Sequence, residues 1–107
     1  MKYLKKLYGT TSIDSTDYEE SLENKKIELE YYTTKNKSLF FKNINLYGIE
    51  VVEKYIKEEK VNVEKTIVNN IYRKEEDINK LLDILINNKV TPIAVKDVIS
   101  DIKFTEE

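Results

Sequence analysis

The chain predicts an α+β protein, a small antiparallel sheet of three to four strands covered by a C-terminal pair of helices. Three observations carry that expectation. Residues 26–34 alternate strictly, with Ile27, Leu29 and Tyr31 on one side and Glu28, Glu30 and Tyr32 on the other. Residues 47–71 keep a period of two on either side of a charged break. Residues 75–102 then switch to helical spacing, twice, around a Thr-Pro step.

Taken in order, residues 1–24 form a poorly defined N-terminal segment, and residues 25–107 a single α+β domain. Tyr3, Leu4, Leu7 and Tyr8 suit a short strand or a helical turn. The Thr, Ser and Asp cluster at 9–17 reads as loop. Thr16 and Glu19 have capping-box spacing, with Tyr18 and Leu22 to anchor a weak helix. The alternating segment at 26–34 is a half-buried strand, and the polar run at 35–38 a turn. Leu39, Phe40 and Phe41 are a short apolar run.

Residues 47–57 fit strand or helix, and strand is preferred because Gly48 and the β-branched pair Val51-Val52 lower helix propensity. Val61, Val63, Ile67 and Ile71 continue the alternation, with Glu58, Glu59 and Lys60 closing a hairpin that lacks the Asn-Gly signature. Ile78, Leu81, Leu82 and Leu85 follow at i, i+3, i+4 and i+7, behind Glu75, Glu76 and Asp77 at the positive end of the helix dipole. Asn87 and Asn88 suit a left-handed C-cap. Thr91 and Pro92 then open a second helix with Val95, Val98, Ile99 and Ile102 on one face.

Bulk composition removes whole classes of function. Charged residues make up 36% of the 107, but the two signs nearly cancel at −2, which leaves little field to gather nucleic acid or anionic lipid. There is no cysteine, hence no disulfide, thiol nucleophile or thiolate site, and no histidine, the commonest general base and metal ligand. Without an apolar leader or a run long enough to span a bilayer, the expected location is cytoplasmic, away from the membrane.

The remaining chemistry is thin. Glu28 and Glu30 share a strand face, and Asp97 and Asp101 stand at i and i+4, yet solvated faces account for both pairs better than catalysis or a cation site does. Gly9 and Gly48 are the only glycines, so there is no phosphate loop. The sequence therefore argues against an enzyme and names no catalytic residue, cofactor or metal. A carboxylate-dependent hydrolase is the most distant reading. Tyr and Lys interleave at 2–8 and 31–42, the ingredients of a stacking platform, and a nucleic-acid-binding accessory protein is the alternative. Against it, the helix opening Pro92-Ile93-Ala94-Val95 offers no base-reading side chain, and the expected partners include neither nucleic acid nor membrane.

Several pieces resemble a family of small clostridial (Firmicute) proteins of unknown function. They are Tyr31-Tyr32, Tyr47-Gly48-Ile49-Glu50, Asn70-Ile71, Val90-Thr91-Pro92 and Asp97-Val98-Ile99-Ser100-Asp101. The resemblance implies no activity.

What is left is association. Tyr31, Tyr32, Phe40, Phe41 and Tyr47 form a large aromatic set for a small core, and Tyr32 lies on the polar side of its strand. The expected function is a small cytosolic regulatory or protein-interaction module that binds a protein partner or itself, as a homodimer. Its candidate surface is Tyr32 and Phe40 as anchors with Lys96, Asp97 and Asp101 as a polar rim.

Overall fold

A computed structural model describes residues 3–14, 26–37 and 44–106. It holds four strands, β1 (Tyr3–Asp14), β2 (Lys26–Lys37), β3 (Asn45–Lys57) and β4 (Lys60–Tyr72), then two helices, α1 (Glu75–Asn87) and α2 (Pro92–Glu106). The strands form one antiparallel meander in the order β1-β2-β3-β4. This is the α+β architecture expected, with four strands. The weak helix anticipated around Thr16–Leu22 and the run containing Phe40 lie outside the described residues. Two local expectations change: residues 9–14 extend β1 instead of forming a loop, and Lys35, Asn36 and Lys37 extend β2 instead of turning. In both places pairing with the neighbouring strand satisfies the backbone, which outweighs the polar composition.

Pairing fixes which side chains share a side of the sheet. Tyr31 lies opposite Gly9 on β1 and Val51 on β3, and Val51 opposite Thr66 on β4. With Leu29 and Ile49 these residues face the helices, where α1 inserts Ile78, Leu81, Leu82 and Leu85 and α2 inserts Val95 and Ile99. Leu29, Tyr31, Ile49, Val51, Ile78, Leu82, Leu85 and Val95 are fully buried. Long-range hydrogen bonds pin the two layers together. Tyr31 Oη donates to Val90 O at 2.8 Å, Thr66 Oγ1 to Pro92 O at 2.9 Å, and Tyr8 Oη to Asp83 Oδ1 at 2.7 Å. Burial raises the Tyr31 phenol far above its ordinary pKa, so the proton it donates stays in place.

The turn between the helices takes a different shape from the expected asparagine cap. Asn88 keeps φ −100°, and Lys89 adopts the left-handed conformation at φ 49°. Lys89 N bonds Ile86 O at 3.0 Å and Val90 N bonds Leu85 O at 2.9 Å, the paired bonds of a Schellman motif, with Val90 and Leu85 buried together. The hairpin between β3 and β4 turns on Glu58 and Glu59, both at positive φ (53° and 63°), the conformation of a type I′ turn made without Asn-Gly. No described helix is long and apolar enough to cross a membrane. The whole is thin, 52 × 30 × 17 Å, because both helices lie on the same side of the sheet.

Candidate association surface

The side of the sheet facing away from the helices is built from the alternate residues of every strand. At its centre β1 contributes Lys5, β2 Glu30 and Tyr32, and β3 Glu50 and Lys54; Tyr32 pairs across to Leu7 and Glu50, and Glu30 to Val52. Lys5 Nζ meets Glu50 Oε2 at 2.5 Å and lies 4.3 Å from the centre of the Tyr32 ring. Lys54 Nζ meets Glu30 Oε1 at 3.2 Å, and Tyr32 Oη donates to the same oxygen at 3.0 Å. Burial first, then that hydrogen bond, raise the Tyr32 phenol above its ordinary value, so the ring presents a neutral hydroxyl at physiological pH. Cation, aromatic ring and carboxylates thus interlock across three strands. Beside them Thr34, fully buried, and Asn36 carry side-chain oxygens with no hydrogen-bond partner among the described residues.

The flank of this face is apolar. Ile56, Val61, Val63 and Ile67 project from the β3–β4 hairpin at 65%, 68%, 54% and 40% exposure, and Leu7 stands on the β1 side at 51%. Ile56 pairs with Val61, Lys54 with Val63 and Glu50 with Ile67, so these residues share the open side, where Lys65, opposite Val52, separates Ile67 from the other three. Val61, Val63 and Ile67 continue the period-two alternation, but not toward the helices. Register turns Thr66 and Val68 that way instead, because they pair with Val51 and Ile49.

Chemistry elsewhere is sparse. Among the described residues no three His, Cys, Asp or Glu side chains come together to hold a metal ion. Glu28 and Glu30 share the open side, where Glu30 is engaged by Lys54 and Tyr32 and Glu28 is exposed. A cleft of about 420 Å³ opens on the helix side near the start of α1, lined by Leu4, Lys6, Tyr8, Lys35, Tyr47 and Glu75. Its lysines and its carboxylate are side chains of exposed or half-buried residues, and the Tyr8 hydroxyl on its wall is bound to Asp83, which raises the phenol's pKa.

The residues singled out from sequence are not brought together. Tyr32 lies half-buried in the middle of the open side. Lys96, Asp97 and Asp101 are exposed on α2, across the sheet from it, and Phe40 lies outside the described residues. Lys5, Glu50 and Lys54 were not singled out; they come from β1 and β3, and only the register brings them to the residues of β2.

Residues 11–103 match the model described as Family of unknown function (DUF6514), so the chain belongs to that family. No curated protein and no solved structure matches it.

Proposed function

We propose that this DUF6514 protein is a small cytosolic regulatory or adaptor module that acts by non-covalent association with a protein partner, through the open side of its sheet. The observation that carries the reading is the asymmetry of the two sides. Both helices cover one side, while the other exposes four β-branched residues next to an aromatic ring. Apolar surface of that kind gains free energy when a partner covers it, at roughly 25 cal/mol per Å² of area removed from water. Tyr32 supplies an amphipathic anchor, with an apolar ring and a hydroxyl already oriented by Glu30. Lys5 and Lys54 are spent on Glu50 and Glu30. A surface of mixed sign suits a protein better than a phosphate backbone, whose binding needs uncompensated cations.

The test is affinity capture from the native host extract with three tagged baits: wild type, the Tyr32→Ala/Ile67→Lys double variant, and Asp97→Lys. The proposal expects a partner retained by wild type and Asp97→Lys and lost from the open-side variant. A partner lost only from Asp97→Lys moves the surface to α2, and retention by all three refutes the assignment.

A further inference from the structure

β4 is an edge strand, hydrogen-bonded to β3 on one side only. In a two-residue hairpin the flanking pair, here Lys57 and Lys60, is the hydrogen-bonded one. Alternation then turns the N–H and C=O groups of Val61, Val63 and Lys65 to the free edge. The far end of that edge is dressed by α2, through Thr66 Oγ1 on Pro92 O and Lys103 Nζ on Ile71 O at 3.1 Å. Among the described residues nothing bonds the edge-facing groups of the 61–65 stretch. An exposed row of unpaired backbone groups is a template for another strand.

The side chains along this stretch select the strand. Residues 60–64 read Lys-Val-Asn-Val-Glu, a sequence that complements itself when run antiparallel about its middle residue. With Asn62 opposite the second copy's Asn62, Lys60 meets Glu64 and Val61 meets Val63, each twice by symmetry. Moving the centre to Val63 sets Lys65 against Val61 and Glu64 against Asn62, and moving it to Glu64 or Lys65 sets like charges face to face. Glu59, Lys60, Glu64 and Lys65 are all exposed. Within one chain Glu64 faces Glu53 across β3, a like-charge pair that holds the Glu53 carboxyl above its ordinary range after burial has raised it. A cation opposite Glu64 relieves that repulsion.

We propose that β4 pairs antiparallel with β4 of a second copy, on a two-fold axis through Asn62, joining two four-stranded sheets into one of eight strands. Val61 and Val63 exchange four backbone hydrogen bonds across the axis, and two apolar stripes merge on the open side. The inference does not rest on the association with another protein argued above; it enlarges that surface if both hold. A pairing of about five residues buries less than a standard interface, so dissociation falls in the micromolar range, roughly 10–100 μM.

Sedimentation equilibrium on the full chain between about 5 and 500 μM tests it, with the dimer expected across that range. Lys60→Glu and Glu64→Lys each weaken the dimer about tenfold, because each turns two attractions into repulsions. The double variant Lys60→Glu/Glu64→Lys restores it to within about threefold of wild type. A further arm mixes Lys60→Glu with Glu64→Lys; each alone dimerises weakly, and the mixture forms a heterodimer. All substituted positions are exposed, and circular dichroism checks that each variant folds. A wild-type monomer at the highest concentration, a dimer indifferent to the single reversals, or a mixture no tighter than its separate variants overturns the proposal.

Discussion

Gly48→Ala is the substitution whose cost can be worked most directly from the backbone. Tyr47 pairs with Tyr72 and Ile49 with Val68, so Asn69, Asn70 and Ile71 of β4 bulge opposite the single residue Gly48. Asn70 makes the bend at φ 57°, a conformation asparagine tolerates. The bulge presses the β4 backbone onto Gly48. A Cβ there would stand 2.3 Å from Val68 O, 2.8 Å from Thr34 Oγ1 and 2.9 Å from Asn69 Cα. Ordinary contact begins near 3.4 Å, so β4 must retreat by about 1 Å, and two of the three obstacles are backbone. Overpacking costs about 1–3 kcal/mol, and here the upper end applies. The smaller entropy loss of alanine returns about 0.5–1 kcal/mol. The net loss is about 2 kcal/mol, or roughly 10 °C in Tm for a domain near this size. Gly9→Ala is the internal control. Its Cβ meets Ile86 Cδ1 at 2.9 Å, the far end of a flexible side chain, so the loss stays below about 0.5 kcal/mol. Urea melts followed by circular dichroism measure both. Equal effects at the two glycines, or a stable Gly48→Ala, would show that β4 does not lie against Gly48.

Three further predictions concern the core, the hairpin and a carboxyl pair. Leu82 is fully buried between sheet and helices, so Leu82→Ala costs about 2–5 kcal/mol in the same melts; a loss under about 0.5 kcal/mol would mean α1 does not cover the sheet. Glu58→Asn with Glu59→Gly places the preferred residues at two left-handed positions and raises stability by about 1–2 kcal/mol in dilute protein, whereas no gain refutes the turn geometry. Burial, then Glu64, hold the Glu53 carboxyl above its ordinary value of 4.5, so the folded state keeps that proton longer than the unfolded chain. The stability this site contributes is therefore fullest below the ordinary value and declines as pH rises from there through the raised one. Glu53→Gln removes the decline, and its stability relative to wild type climbs as pH rises from the ordinary value of 4.5; a constant or falling difference contradicts the placement of Glu53.

The helical layer was legible in the sequence because one signal there had one meaning. Ile78, Leu81, Leu82 and Leu85 lie on a single helical face, and a helix with one apolar face buries it. The same holds for Ile27, Leu29 and Tyr31 on β2. The sheet's other side was not legible in that way. Period two in β4 marks two sides equally well, and a pattern alone does not say which one the helices take. Val61, Val63 and Ile67 are apolar yet open, while Thr66 and Val68 face the core. The hairpin register and the bulge at Asn70 decide this, and Glu58-Glu59 carries no turn signature that would announce either. The candidate site divided for the same reason. Tyr32 is on the open side because it alternates with buried Tyr31, whereas joining it to Asp97 required knowing on which side α2 packs.

Hydroxyl-radical footprinting read by mass spectrometry tests the central claim, that the side of the sheet facing away from the helices is where this protein meets its partner. The protein is oxidised alone and after equilibration in native host extract, then recovered through its tag. The account predicts that Leu7, Tyr32, Val61, Val63 and Ile67 lose reactivity in the extract, while Ile84 and Ile93, exposed on α1 and α2 at 40% and 89%, keep theirs. Protection of Ile84 and Ile93 with the open-side residues unchanged would contradict it.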